Sequence, residues 1–124
     1  MTSIKILFVL DKIKANRLGL APLRCRITYL GERKPFATGL FVNPKHWDSK
    51  SQLAKPPNED NNFINAELSL IKNKINQAFL FLQVKEEPFD VNDIYNQYAG
   101  KISLNFSQVD SFKSLPIIFF NLSM

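Results

Sequence analysis

The chain has 124 residues, 45% of them hydrophobic, and a formal net charge of +5, a length that suits one domain, or one small domain with an appendage, around a modest core. A single cysteine, Cys25, excludes an internal disulfide and a cysteine metal cluster, which favours a reducing cytoplasm over secretion, and no apolar run spans a bilayer or forms a signal peptide. Residues 1–55 hold eleven Lys and Arg against three acids, a local +8, while residues 56–124 hold five against eight, a local −3; a cationic half of that kind favours nucleic acid or an anionic membrane surface as partner.

Ile4 to Leu10 is apolar and β-prone, broken only by Lys5, and predicts a first strand with Ile6, Phe8 and Leu10 inward. Asp11 to Pro22 carries Lys12, Lys14, Asn16, Arg17 and Gly19 without apolar periodicity, so it reads as a basic loop. From Leu23 the chain alternates: Leu23, Cys25, Ile27 and Tyr29 are apolar, while Arg24, Arg26 and Thr28 are polar. That period of two gives a strand with one greasy and one cationic face. Leucine resists positive φ, so the hairpin loop is predicted at Gly31 and Glu32. Leu30 then faces Arg33, Thr28 faces Pro35, Arg26 faces Ala37 and Arg24 faces Gly39. Guanidiniums with small cross-strand neighbours are free to reach phosphates or guanine edges; an ordinary solvated strand face is the alternative reading of the same alternation.

Asn43-Pro44 ends the third strand and predicts one helical turn capped by asparagine. Trp47 is placed at the sheet's edge to close the core, and Cys25, on the apolar phase, reads as a buried, unreactive thiol. Ser49 to Asn62 is polar, contains Pro56-Pro57, and reads as a linker. A long helix follows, because Ile64, Leu68, Ile71, Ile75, Ala78 and Leu82 share one face that Phe79 widens. Glu59 and Asp60 lie before it or in its first turn, where negative charge suits the helix dipole. Val91, Ile94, Tyr95 and Tyr98 predict a short second helix that Gly100 ends. Beyond Lys101 no pattern holds, and Leu115 to Phe120 is a greasy run interrupted by proline. The expected fold class is therefore α+β: a three-stranded antiparallel sheet packed against one long helix, then a short helix and an irregular tail. Residues 1–86 are expected as the domain, 87–100 as a helical extension and 101–124 as a tail.

Catalytic patterns are missing from the 124 residues. The four glycines are scattered and build no phosphate loop. His46 has no companion ligands at metal spacing, and no nucleophile elbow occurs. No cofactor and no small-molecule substrate are implied.

The string RITYLGERKPFATGLFVNPKHWDSKSQLAK, with Cys25-Arg26-Ile27, Gly31, Arg33, Phe36, Thr38, Leu40, Val42, Pro44, Trp47 and Ile64-Asn65 with Leu68, resembles the N-terminal arm of tyrosine recombinases. The likeness is to phage-type and conjugative-transposon integrases of Bacteroides-like bacteria and covers about residues 3 to 100. It implies a sheet whose polar face enters the major groove of double-stranded DNA at arm-type sites. The contacts it implies here are Lys5, Arg24, Arg26, Thr28, Arg33 and Lys34, with phosphate contacts from Lys12, Lys14 and Arg17. The family's helical core-binding domain and catalytic domain are not represented, so no enzyme activity carries over; a fragment, a truncated gene or a frame shift would account for the tail. Recombinase protomers are a second implied partner. A protein-interaction module that regulates a full-length recombinase is the alternative function, motivated by the greasy helix and the Leu115 to Phe120 run.

Overall fold

The alternation from Leu23 to Tyr29 forms the middle strand of a three-stranded antiparallel sheet. The computed structural model describes residues 3–100. Strands β1 (Lys5–Leu10), β2 (Ala21–Tyr29) and β3 (Glu32–Val42) lie in the order β1-β2-β3. Ala21, Leu23, Cys25, Ile27 and Tyr29 are buried, and the residues between them are half-buried. Helices α1 (Glu59–Val84) and α2 (Val91–Ala99) cover that apolar side. The core joins Phe8, Ile27 and Phe36 of the sheet to Ile64, Leu68 and Ile75 of α1 and to Val91 and Ile94 of α2.

The stripe read from the sequence is the buried face of α1: Ile64, Leu68, Ile71, Ile75, Ala78 and Phe79 are all buried, with Leu82 at the margin. Asn58 caps the helix, its side chain accepting from the Asn61 amide at 2.8 Å. A reciprocal pair, Asp90 and Asp93, caps α2, and Gly100 ends it at φ 73°, a conformation that glycine adopts without strain. Aromatic rings hold α2 and the residue Phe89 before it to the sheet and α1. Tyr29 stacks on Phe89 at 5.1 Å and meets Phe79 edge-on at 5.5 Å, while Phe36 lies 4.9 Å from Tyr95 and 5.4 Å from Tyr98. Helix α2 thus shares the core of the sheet and α1. The stretch from Lys101, with its Leu115 to Phe120 run, lies outside the described residues.

The hairpin differs from the expected register. Tyr29 pairs with Glu32, so the loop is Leu30-Gly31, with φ of 52° and 83°. Two positive φ values are the type I′ pattern, whose twist matches that of the flanking strands. That match outweighs the leucine's preference, and Leu30, 68% exposed, gives up no packing. Thr28 therefore faces Arg33, Arg26 faces Pro35 and Arg24 faces Ala37. The slip is two residues, so every side chain keeps its face. An irregularity between Leu23 and Arg24 absorbs Thr38 and Gly39 and restores the expected Leu23–Leu40 pair. Gly39 takes φ 85° there, and the Thr38 hydroxyl donates to the Leu23 carbonyl at 2.7 Å. Because Leu30 pays a left-handed penalty that asparagine largely escapes, Leu30→Asn is expected to raise stability by about 1 kcal/mol, measured by urea denaturation.

Ser49 to Asn62 is not the linker that its polarity suggests: it holds a short strand, Leu53–Ala54, and, from Glu59, the first turn of α1. A 3₁₀ turn at Pro44–His46, capped by Asn43 as expected, leads into β4 (Trp47–Asp48), which pairs with β5 (Leu53–Ala54). Two side-chain amides fix this small hairpin. Gln52 accepts from the Phe8 amide at 2.7 Å and donates to the Phe8 carbonyl at 3.1 Å. Asn65 does the same to Ala54, at 2.8 Å and 3.0 Å. The hairpin therefore bridges the edge of β1 and the first half of α1. Lys55 adds an ion pair to Asp48 at 3.0 Å, and with the Ser51 hydroxyl and Lys50 amide it holds the Asp48 carboxyl down at a pKa of about 2. Trp47 packs against the core, as its place in the sequence predicts.

Candidate nucleic-acid interface

Three rungs that cross all three strands lie on the side of the sheet away from the helices. Lys5, Thr28 and Arg33 form the first; Leu7, Arg26 and Pro35 the second; Val9, Arg24 and Ala37 the third. Antiparallel pairing forces this grouping, because directly opposed residues share a face. No rung contains a carboxylate. Among the described residues the ion pairs are Lys14–Asp11 at 4.0 Å and Lys55–Asp48 at 3.0 Å, so Lys5, Arg24, Arg26 and Arg33 have no acidic partner there. Cations left unpaired on one face raise the local potential toward anions.

Arg26 carries a further mark. Among the described residues its Nε is the one buried side-chain nitrogen or oxygen without a hydrogen bond. Leu7 and Pro35 flank it across the sheet, and the donors left to it are the two terminal nitrogens of the guanidinium.

The remaining expected contacts divide in two. Lys12, Lys14 and Arg17 are exposed on the loop between β1 and β2, beyond the Val9–Arg24 rung, whereas Lys5 and Arg33 lie at the opposite end. Cations thus frame the face at both ends. The loop is shaped by Asn16, whose side chain accepts from the Leu18 and Leu20 amides at 2.9 Å and 3.0 Å. Lys34 is not brought to this face: it pairs with buried Ile27, and its Nζ lies 5.0 Å from the centre of the Tyr95 ring, a cation–π distance. The outward apolar residues Leu7, Val9 and Pro35 have no sequence signal for a role beside Arg24 and Arg26. Their placement depends on cross-strand register.

Elsewhere the chemistry is quiet. Burial pushes the Cys25 thiol up to about 12, which keeps it protonated and unreactive. His46 lies with its Nδ1 3.4 Å from the Asn61 amide nitrogen, and Asn61 donates to the Pro56 carbonyl at 2.8 Å. Among the described residues no cluster of three His, Cys, Asp or Glu is placed to hold a metal ion, and no helix is long and apolar enough to cross a membrane. A cavity of about 650 Å³ beside the start of α1 is lined by Phe41, His46, Asn61 and Phe63 among others, and by none of the expected contact residues.

A small sheet with arginine-bearing outer rungs that hold no carboxylate, and helices filling its inner side, suits a nucleic-acid-binding module. The chain belongs to the family of arm DNA-binding domains, whose pattern it matches over residues 8–95. It is a DNA-binding module of an integrase-type protein, and double-stranded DNA is its partner. Comparison with curated proteins and with solved structures finds no match.

Proposed function

We propose that the outer face of the sheet enters the major groove of DNA at arm-type sites of a tyrosine recombinase, as in the integrases of conjugative transposons in Bacteroides-like bacteria. The observation that carries the reading is the set Lys5, Arg24, Arg26 and Arg33, without an acidic partner among the described residues, on rungs that hold no carboxylate. The major groove, about 12 Å wide, admits a β-ribbon. Arg24 and Arg26, in the middle of the face, read base edges, with Thr28 beside them. Lys5 and Arg33 at one end, and Lys12, Lys14 and Arg17 at the other, meet the phosphates on either side. Lys34 stays with Tyr95. The module positions a recombinase on DNA and performs no chemistry itself.

Binding of duplex DNA measured across a salt series tests this. Five phosphate contacts predict a log–log slope of about −4 to −5; a flat salt response or absence of binding would overturn it. A second reading, docking onto recombinase protomers, draws on the outward apolar residues of α1, Phe63 (59% exposed), Leu70 (45%) and Phe81 (47%). Self-association without salt-dependent DNA affinity in the same experiment would favour it.

A further inference from the structure

The second and third rungs of the outer face mix charge with grease in a way that a water-facing strand surface does not require. Arg26 stands between Leu7 and Pro35, and Arg24 between Val9 and Ala37. Val9 is 39% exposed, Pro35 and Ala37 are exposed, and Leu7 is half-buried. Neither rung contains a hydroxyl, amide or carboxylate. Solvated faces of antiparallel sheets are ordinarily polar, whereas each arginine here is flanked by apolar side chains that are exposed or half-buried.

Major-groove chemistry gives that pattern a complement. Guanine presents two neighbouring acceptors, O6 and N7, which suit the paired terminal nitrogens of a guanidinium. Those nitrogens are the donors that remain to Arg26, its Nε being buried. Adenine pairs best with an amide that both donates and accepts, and cytosine with a carboxylate; the two rungs have neither. The one apolar group on the groove floor is the 5-methyl of thymine, and it matches what surrounds the arginines.

We infer that these rungs select guanines flanked by thymines. Arg24 and Arg26 take guanine O6 and N7, while Leu7, Val9, Pro35 and Ala37 cover the 5-methyl groups of adjacent thymines. The inference rests on the reading of this face as the DNA-contacting surface. Residues 24 and 26 are separated by about 6.6 Å along β2, close to the roughly 6.8 Å of two base-pair steps, so both guanines fall within the same three or four base pairs.

The test selects duplexes from a random library with the full chain, then remakes a selected duplex in two altered forms. Deoxyuridine in place of thymine keeps every donor and acceptor and removes only methyl groups; 7-deazaguanine in place of guanine removes one acceptor. Selected sequences are expected to carry guanine next to thymine. Deoxyuridine should weaken binding about three- to fivefold per contacted methyl, and 7-deazaguanine about tenfold. With Val9→Ser the deoxyuridine effect should shrink. Selection without guanine–thymine preference, or a selected site bound as tightly with deoxyuridine, would overturn the inference while DNA binding stands. Failure to bind any duplex even at low salt would remove the underlying reading and this inference with it.

Discussion

Replacing Arg24 and Arg26 together by alanine is expected to lower affinity for a selected duplex by about 100-fold, since each well-placed arginine–base pair is worth roughly 1–3 kcal/mol. The fold should survive. Both side chains lie on the outer face opposite small or apolar partners, neither has an acidic partner among the described residues, and the buried Nε of Arg26 is unsatisfied as it stands. The salt dependence separates two roles. If the arginines contact bases, the slope of log affinity against log salt stays near that of the parent, because the loop and end cations still release the counterions. If they contact phosphates, the slope becomes shallower by about 0.9 for each one lost. A double variant that melts like the parent and binds the same duplex equally well would remove the face from the mechanism. The comparison is best made by fluorescence anisotropy at several salt concentrations, with circular dichroism melts of both proteins.

The second large effect concerns stability. Ile75 in α1 and Ile94 in α2 are both 0% exposed, and each is expected to cost about 2–5 kcal/mol when cut to alanine, read by urea denaturation. Domains of this size have total stabilities of about 5–15 kcal/mol, so either change removes a large share. Ile94→Ala is the more telling of the two. If residues 87–100 formed a separable appendage, the loss would stay below about 1 kcal/mol and the global transition would barely move. The Tyr29–Phe89 and Phe36–Tyr95 ring contacts favour a loss close to that of Ile75→Ala, with the sheet and both helices unfolding together.

Much of this architecture is legible in the order of residues, for reasons that differ between elements. The β2 alternation and the α1 stripe are periodic, and periodicity reports directly which side is buried. Asn43-Pro44 and Gly100 are local signals, read from backbone preferences within one turn. What escapes such reading depends on partners far away in the chain. Gln52 lies 44 residues from Phe8, and no local pattern marks it as the residue that anchors the β4–β5 hairpin. Leu30 misleads for another reason: its own conformational preference is real, but the twist of two long strands outweighs it. The site divides along the same line. The outward direction of Arg24 and Arg26 follows from alternation, whereas Pro35 and Ala37 beside them follow from a register that the turn decides, and Leu7 and Val9 from the pairing of β1 with β2.

The amide of Gln52 has a consequence for how copies of this protein behave beside one another. It occupies both the N–H and the C=O of Phe8, the groups through which the outer margin of β1 would otherwise template a foreign strand. The opposite margin is blunted by Pro35, which has no N–H; counting along the ladder from the closing Tyr29–Glu32 pair, its nitrogen points away from β2. Each margin is thus interrupted near its centre, which disfavours the zipping of neighbouring molecules into a continuous sheet.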